Sequence, residues 1–311
     1  MINKILPEIV VIDVGARGGA SSEWMRIGKA ISLIGFEPDE KECDKLNNSK
    51  SKGKLKQIYY PYAIAGKEGI RNFYLTRRRT VSSLYKPIQA EWKKYGIIGS
   101  ERNRRAEVER VVKVDAITLD DFCKIQKLKP DFLKLDTQGS ELEILKSGFK
   151  KHIDSLIGLE IEVEFTPLYH GQALFSETEI FLRERGFELV GLKRHMWKMH
   201  DGKSINTKKG GRLSFADALF LHKRVLRTKL SKKESLKAAL ITQRYELLDL
   251  RDLILTNSSY PRENYEKVVQ AVTLNNLQYT IRSVPRKIIK ALTLSLKSKN
   301  KIVNFDEKYG F

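Results

Sequence analysis

Short apolar runs alternate with longer amphipathic stretches over the first 225 residues of the chain. The short runs are rich in β-branched residues, which is typical of buried strands. Strands are predicted at residues 9–13, 30–37, 55–66, 69–75, 109–117, 130–136, 155–165, 187–194 and 215–223. Pro61 lies inside the third run and places the end of that strand near it. Alternating strands and helices predict an α/β fold with a mostly parallel sheet.

The last two predicted strands are joined differently from the others. Only a polar segment separates them, without the helical pattern that a parallel crossover needs. We therefore expect these two strands to pair antiparallel, as a hairpin at the edge of the sheet.

After Arg224 the pattern becomes helical and more basic, which divides the chain into residues 1–224 and a helical extension, residues 225–311. The extension holds 17 Lys and Arg against 8 Asp and Glu, a local excess of +9 within the net charge of +20. This balance favours anionic partners such as nucleic acid, a membrane surface or a phosphorylated substrate. A lysine-rich surface that only maintains solubility is the alternative.

The cysteine content and the absence of long apolar runs indicate the cellular compartment of the protein. Cys43 and Cys123 are too few for a disulfide framework, which favours a reducing environment. No signal-peptide pattern precedes the first strand, and no apolar run approaches the roughly 20 residues of a membrane span. We expect a cytoplasmic protein.

The loop after the first strand, VGARGG, is the first candidate ligand site. A dinucleotide fingerprint requires a second glycine where Arg17 stands, so that cofactor class is disfavoured. Asp13 ends the strand, and its carboxylate is suited to the amino acid portion of S-adenosylmethionine. Gly15 and Gly19 would let the chain bend close to that cofactor.

Glu37 ends the second predicted strand and is suited to accept hydrogen bonds from both ribose hydroxyls. A dinucleotide and S-adenosylmethionine would both use such an acid. Glu37 therefore supports a nucleotide cofactor but does not distinguish these two classes. The alternative is a solvent-facing acid before a helix.

The chain resembles the FkbM family of S-adenosylmethionine-dependent methyltransferases. The resemblance covers roughly residues 8–223 and is carried by segments that occur in the family's order. They are DVGARGG, FEPD, TVSSLY, TLDDF, DFLKLDTQGSELEIL, EVEFTPLYHGQALF, RERGFEL and ADALFLHK. Many relatives have asparagine at the position of Arg17.

The resemblance implies a class I methyltransferase (Rossmann-like) fold: seven strands, mostly parallel, with the last strand antiparallel. It also implies S-adenosylmethionine as cofactor and O-methylation of sugar hydroxyls or natural products. A carbohydrate or a lipid-linked glycan is the expected acceptor. We assign cofactor binding to Asp13, Gly15, Ala16, Gly19, Glu37, Pro38, Ala63 and Asp136.

Two residues are the first candidates for taking the proton of the acceptor hydroxyl. Asp136 follows the fourth strand of the family fold, where methyl group and acceptor meet, although it could instead cap the next helix. His170, on the loop after the fifth strand, is a competent base near neutral pH, although a loop histidine is often only exposed.

Glu160, Glu162 and Glu164 alternate along one strand and so share a face. We expect Glu162, as a catalytic residue, and Glu164, as a substrate ligand, to reach the site. A divalent metal held by Asp136 with Glu162 is the weaker alternative, since the chain has no recognisable metal signature. His195 and His200 are interpreted as solvent-facing.

Ser82, Ser83, Arg79, Gln138 and Glu164 are the predicted substrate-binding residues. The arginine cluster at 77–79 is suited to phosphate, which suggests a phosphorylated or lipid-pyrophosphate-linked acceptor. A solvated basic loop is the alternative.

Residues 285–301 have apolar positions at four-residue spacing among basic ones. Such a helix could bind weakly to the inner face of an anionic membrane, or pack on the catalytic domain or on a second subunit of an oligomer.

Two competing functions remain open. A nucleic-acid methyltransferase fits the net charge, but the usual Asn/Asp-Pro-Pro-aromatic motif is absent after the fourth strand. A non-catalytic scaffold fits the fold, but the joint presence of Asp13, Glu37 and Asp136 argues against it.

Overall fold

A mixed β-sheet organises the structure, a computed structural model that describes residues 7–21, 24, 27–49, 55–96, 101–199 and 211–270. In chain order the strands are β1 Ile9–Val14, β2 Ile31–Phe36, β3 Lys56–Tyr60, β4 Ala63–Ile64, β5 Gly69–Thr76, β6 Val108–Ile117, β7 Phe132–Leu135, β8 Gly158–Glu164, β9 Phe187–Trp197 and β10 Arg212–His222. Seven of these described strands form the large sheet, in the order β3-β2-β1-β7-β8-β10-β9.

The centre of the large sheet is parallel and its edge is antiparallel. Strands β2, β1, β7 and β8 pair in parallel, and β3 pairs in parallel with β2. Strand β10 is antiparallel to both β8 and β9. The predicted α/β class and the predicted antiparallel pairing of the last two strands are confirmed.

The single strand predicted over 55–66 is instead two strands in different sheets. Strand β3 ends just before Pro61, and β4 pairs with β6 in a small sheet of order β4-β6-β5. Proline has no N–H for the ladder, so the chain leaves the large sheet there. The strands predicted at 69–75 and 109–117 correspond to β5 and β6, which pair antiparallel.

The helices cover both faces of the large sheet and the loops at its carboxyl edge. They are α1 Glu40–Asn48, α2 Gln89–Trp92, α3 Glu101–Arg104, α4 Leu119–Gln126, α5 Glu141–Glu143, α6 Phe175–Glu184, α7 Lys223–Arg227, α8 Lys232–Arg244 and α9 Leu248–Asn257. Residues 262–270 are also helical. No helix of the described residues has the length and apolarity needed to cross a bilayer.

The described part of the extension is a layer of the same domain. Leu236 and Ile241 of α8 and Ile254 of α9 share one buried cluster with Val11 of β1 and Leu33 of β2. The opposite face packs on α4 through a second cluster. The division at residue 224 therefore does not separate two packing units. The predicted basic helix at 285–301 lies outside the described residues.

A salt bridge and cation–π contacts reinforce the packing of α8. Lys237 Nζ lies 2.7 Å from Asp131 Oδ2 in the loop before β7. The Arg244 guanidinium lies 4.1 Å from the centroid of the Trp24 ring and 3.9 Å from that of Tyr245. Basic residues of the helical extension are thus used in packing within the fold.

Replacing Ile241 by alanine tests whether the extension folds with the sheet. Ile241 is fully buried, so Ile241→Ala should lower the free energy of unfolding by about 2–5 kcal/mol, measured by urea denaturation. The control, Leu253→Ala in α9, removes a side chain that is 42% exposed and should cost about 0.5 kcal/mol. Equal effects, or a separate early transition for the helices, would contradict a shared core.

Candidate functional site

The first cavity of the candidate site lies at the carboxyl ends of β1, β2 and β7. In this sheet the chain turns to one side of β1 to form β2 and returns on the other side as β7, which is the kind of switch point where open α/β sheets bind ligands. The cavity has a volume of about 150 Å³. It is lined by Val14, Gly15, Arg17, Phe36, Glu37, Pro38, Tyr62, Ala63, Ile64, Phe73, Arg79, Thr80, Ser82, Leu84, Asp136, Thr137, Gln138 and Ser140.

Gly15 brings the first loop against the end of β7. Its φ is +82°, and a Cβ at this position would lie 1.9 Å from the carbonyl oxygen of Asp136. The amides of Gly15 and Ala16 both donate to the carbonyl oxygen of Phe36 at the end of β2. Only glycine fits here, because a side chain would enter the backbone of the neighbouring strand.

Glu37 presents a buried carboxylate to the first cavity. Its side chain is 4% exposed, and its Oε1 accepts a hydrogen bond of 2.9 Å from the amide of Asp39. Burial raises the pKa of Glu37, against the opposing effects of that amide and of Arg17. Arg17, whose role the sequence did not predict, lies 3.5 Å from Glu37 and 2.6 Å from Asp39.

Asp13 is paired inside the sheet and lines neither of the cavities described here. Its Oδ1 accepts a hydrogen bond of 3.3 Å from Lys134 Nζ, which also lies 4.0 Å from Asp136 Oδ2. Although burial acts to lower the pKa of Lys134, Asp13, Asp136 and Glu160 raise it overall. The structure places Asp13 in a pair with Lys134, and the contact of Asp13 with the cofactor stays a prediction. Lys134 could have been found from the sequence, because it lies two residues before Asp136 and therefore on the same face of β7.

A second cavity, of about 300 Å³, also borders Asp136. It is lined by Arg78, Thr80, Val81, Trp92, Arg105, Asp136, Gln138, Glu162, Leu168, Trp197 and Phe215. Thr80, Asp136 and Gln138 line both cavities. Asp136 is the carboxylate that the two cavities share.

Gln138 joins the two carboxylates of the second cavity. Its Nε2 donates to Glu162 Oε1 at 2.6 Å and to Asp136 Oδ1 at 3.0 Å. The hydroxyl of buried Tyr169 lies 2.9 Å from Gln138 Oε1, which orients the amide. The side-chain amide of Gln138 thus lies between Asp136 and Glu162 and bridges the two acids. Across the described residues no group of three or more His, Cys, Asp or Glu side chains could hold a metal ion.

The two acids differ in how strongly their environment favours the protonated form. Burial raises the pKa of Asp136, while the neighbouring Lys134 opposes that shift. Burial raises the pKa of Glu162 well above its usual value, and Asp136 and Glu164 raise it further. Glu162 therefore retains its proton to higher pH, and Asp136 is the acid that ionises more readily.

Most other predicted residues lie at the first cavity or directly behind it. Pro38, Ala63, Ser82, Arg79 and Gln138 line it. Ala16 and Gly19 do not line the cavity but stabilise the first loop, because the Gly19 amide donates to the carbonyl oxygen of Ala16. Ser83 is buried and donates to the carbonyl oxygen of Gln138, so it positions that residue without lining a cavity.

Three predicted residues are placed differently from expectation. His170 is exposed and lines neither cavity, so the structure does not bring it to Asp136. Glu164 is buried and also lines neither cavity. His195 is not simply solvent-facing: its Nε2 lies 3.2 Å from Asp217 Oδ2, and its ring stacks on Phe215 at 4.3 Å. His200 lies outside the described residues.

In the predicted arginine cluster, Arg77 and Arg79 are paired with glutamates, although Arg79 also lines the first cavity. Arg77 forms hydrogen bonds of 2.6 and 2.8 Å with Glu101, and Arg79 lies 3.0 Å from Glu109. Arg78 instead lines the second cavity, together with Arg105, a residue that the sequence did not single out.

Comparisons with known proteins were made for the whole chain. A family model described as the methyltransferase FkbM domain matches residues 13–189. No curated protein matches the chain. Among solved structures, the chain is similar to a Pyrococcus horikoshii protein provisionally described as an RNA methyltransferase, at 13% identity and a TM-score of 0.31. That similarity covers 70% of this chain and 76% of the other.

Gly15 can be tested against a neighbouring glycine that shares its backbone conformation. Gly15→Ala should prevent native folding or destabilise it strongly, because the new Cβ would collide with the carbonyl of Asp136. Gly18 has a φ of +86° with nothing within 4 Å of its Cβ position, so Gly18→Ala should cost only about 1–2 kcal/mol of backbone strain. Thermal unfolding followed by circular dichroism compares the two. Similar losses in both variants would show that the close approach is unimportant.

Proposed function

The chain belongs to the FkbM methyltransferase family, and we propose that it methylates a hydroxyl group of a carbohydrate, with S-adenosylmethionine as the methyl donor. The family implies this donor. The observation that carries the proposal is the meeting of two cavities at Asp136. We assign the sheet to the class I methyltransferase arrangement, since β10 runs against the other six strands.

The residues of the first cavity fit a nucleoside cofactor. Phe36, Ile64 and Leu84 provide an apolar wall suited to a base, and the buried Glu37 carboxylate is suited to two neighbouring ribose hydroxyls. The missing side chain of Gly15 lets the first loop approach the backbone of Asp136 in the wall of this cavity. When bound, the cofactor would supply an electrophilic methyl group.

Asp136 is the residue that we propose accepts the proton of the acceptor hydroxyl. It lines both cavities, and Lys134 favours its ionised form. Gln138 holds its carboxylate at 3.0 Å and thereby fixes its orientation. Glu162 keeps its proton more strongly, so we propose that it helps to position the acceptor hydroxyl and does not serve as the base. His170 has no part in this proposal.

The lining of the second cavity supports a carbohydrate acceptor. Trp92, Trp197 and Phe215 offer aromatic faces suited to the C–H surface of a sugar ring. Glu162 and Gln138 offer polar groups for its hydroxyls. Sugar hydroxyls are also the acceptors mainly associated with the family that the sequence resembles.

Binding of the donor is tested by calorimetry with S-adenosylmethionine on the full chain. Glu37→Gln should weaken binding about 10- to 100-fold, because a charge-assisted hydrogen bond contributes about 1.5–3 kcal/mol. Glu42→Gln, a nearby charge removal in α1 outside the cavity lining, is the matched control and should bind as the native chain does. Native-like affinity in Glu37→Gln would contradict the assigned nucleoside site. Mass spectrometry of glycans from cells with and without the gene would then identify the methylated acceptor.

The pH dependence of methyl transfer tests Asp136 as the base. A base must be ionised, so the rate should rise with pH through its pKa, and burial places that rise above the ordinary value for aspartate of about 3.9. Lys134→Met removes the cation that lowers this pKa, so the rise should move to higher pH. Lys56→Met, which breaks a surface pair with Glu8, should leave the profile unchanged. An unshifted profile in Lys134→Met would exclude Asp136 as the titrating base.

A further inference from the structure

Arg17 is a cation in the wall of the first cavity, beside the proposed ribose ligand Glu37. Its side chain is 21% exposed, its Nε lies 3.5 Å from Glu37 Oε2, and its Nη2 lies 2.6 Å from Asp39 Oδ2. The guanidinium therefore uses two different nitrogens to reach two carboxylates. Partly buried ion pairs are screened less by salt and water than surface pairs, so this contact can change the chemistry of Glu37.

Asp39 fixes the position of Arg17. Its other carboxylate oxygen, Oδ1, accepts a hydrogen bond of 3.4 Å from the amide of Glu42 and thereby caps the first turn of α1. Burial alone would raise the pKa of Asp39, but the hydrogen bonds from Arg17 and from amides of α1 lower it overall. Asp39 is thus a charged partner attached to the start of a helix, and it holds Arg17 next to Glu37.

The contacts of Glu37 leave acceptor positions for a ribose. A carboxylate has about four acceptor positions. The amide of Asp39 uses one of them on Oε1, at 2.9 Å, and Arg17 faces Oε2. About two positions therefore remain, and this is the number that two neighbouring ribose hydroxyls require.

The environment of Glu37 makes its ionised form costly. Burial raises the pKa of Glu37, and the charges of Asp39 and Glu42 raise it further, whereas the Asp39 amide and Arg17 act in the opposite direction. The first loop, α1 and the rest of the cavity lining contribute the titratable and charged groups around Glu37, which are Arg17, Asp39, Glu42, Cys43, Tyr62, Arg79 and Asp136. Of the two cations in this set, Arg79 lies 3.0 Å from Glu109, and Arg17 is the one that faces Glu37.

We propose that Arg17 is a positioning residue of the donor site: it holds Glu37 as an anion, in the orientation that binds the ribose hydroxyls. Arg17 acts through Glu37 and not through the reacting groups. This inference rests on the proposed function, because it takes the ribose of S-adenosylmethionine as the ligand of Glu37. Hydrogen bonds to an ionised carboxylate are about twice as strong as those to a neutral group, so the loss of Arg17 should weaken binding most at low pH.

Calorimetry with S-adenosylmethionine on the full chain, repeated at several pH values, tests this role. Affinity should fall as the pH is lowered, because Glu37 gains a proton, and in Arg17→Gln the fall should begin about 1 pH unit higher than in the native chain. At about pH 6 the variant should bind about 10-fold more weakly, and the difference should narrow as the pH rises. Glutamine can still donate to Asp39, so the variant should fold, which thermal unfolding checks.

Three further variants separate the charge from other effects. Arg17→Lys keeps a positive charge and should keep most of the native pH dependence. Arg183→Gln, which removes an arginine paired with Glu179 on α6, is the matched control and should not change binding at any pH. In a chain that already carries Glu37→Gln, the cost of Arg17→Gln should disappear, because no carboxylate remains to be kept ionised.

Adenosine separates this role from a direct contact between Arg17 and the methionine portion of the donor. Adenosine has the ribose but lacks that portion. Arg17→Gln should therefore weaken the binding of adenosine and of S-adenosylmethionine by the same factor. A loss confined to S-adenosylmethionine would assign Arg17 to the methionine portion and overturn the inference.

An unchanged pH dependence in Arg17→Gln overturns the inference, and so does an equal cost of Arg17→Gln with and without the Glu37 carboxylate. A pH-independent loss of affinity in Arg17→Lys overturns it as well, because that variant keeps the charge, and this result decides even if Arg17→Gln does not fold. If Glu37→Gln weakens donor binding but the Arg17 variants bind as the native chain does, only this inference fails. No donor binding by the native chain overturns the proposed methyl transfer together with it.

Discussion

Lys134 forms ion pairs with Asp13 and Asp136 in the centre of the large sheet, and the carboxyl edge of the sheet depends on these pairs. The strand register places Lys134 opposite Asp13 on one side and Glu160 on the other. A shift of β7 by one residue would turn Lys134 toward the apolar cluster on the opposite face and leave the buried Asp13 without its cation, at a high cost in free energy. The ion pairs thus help to fix the register, and the register places Asp136 between the two cavities.

Backbone conformation after β7 then decides what Asp136 faces. Gln138 has a φ of 64° and Gly139 a φ of 112°, so the chain reverses sharply beyond the strand. The reversal turns the Gln138 side chain back between Asp136 and Glu162. Gly15 approaches the same point from β1. The Asp136 carboxylate thus lies between Lys134 and Gln138 of its own segment, and Gly15 of the first loop packs against its backbone carbonyl.

The helical layer beyond residue 222 shows how a basic composition can be structural. Arg244 lies over Trp24 and Tyr245, and its Nη1 lies 3.7 Å from Glu160 Oε2. These contacts connect α8 to the strand that carries Glu162. The family match ends at residue 189, yet these helices complete one face of the same core. The stability of the site therefore includes contributions from outside the matched segment.

The sequence by itself determined most of the strands, the antiparallel last pair and the glycine loop, and it placed Glu37 and Asp136 at the ends of strands, because apolar periodicity and glycine requirements are local properties. It did not determine the partners of charged groups. It did not indicate that Asp13 pairs with Lys134, nor that Arg77 and Arg79 pair with Glu101 and Glu109. Arg105 gave no signal, since its aromatic neighbours Trp92 and Trp197 lie on other elements. Only the tertiary structure decides such pairings, because electrostatic and stacking energies depend on distances between residues far apart in the chain.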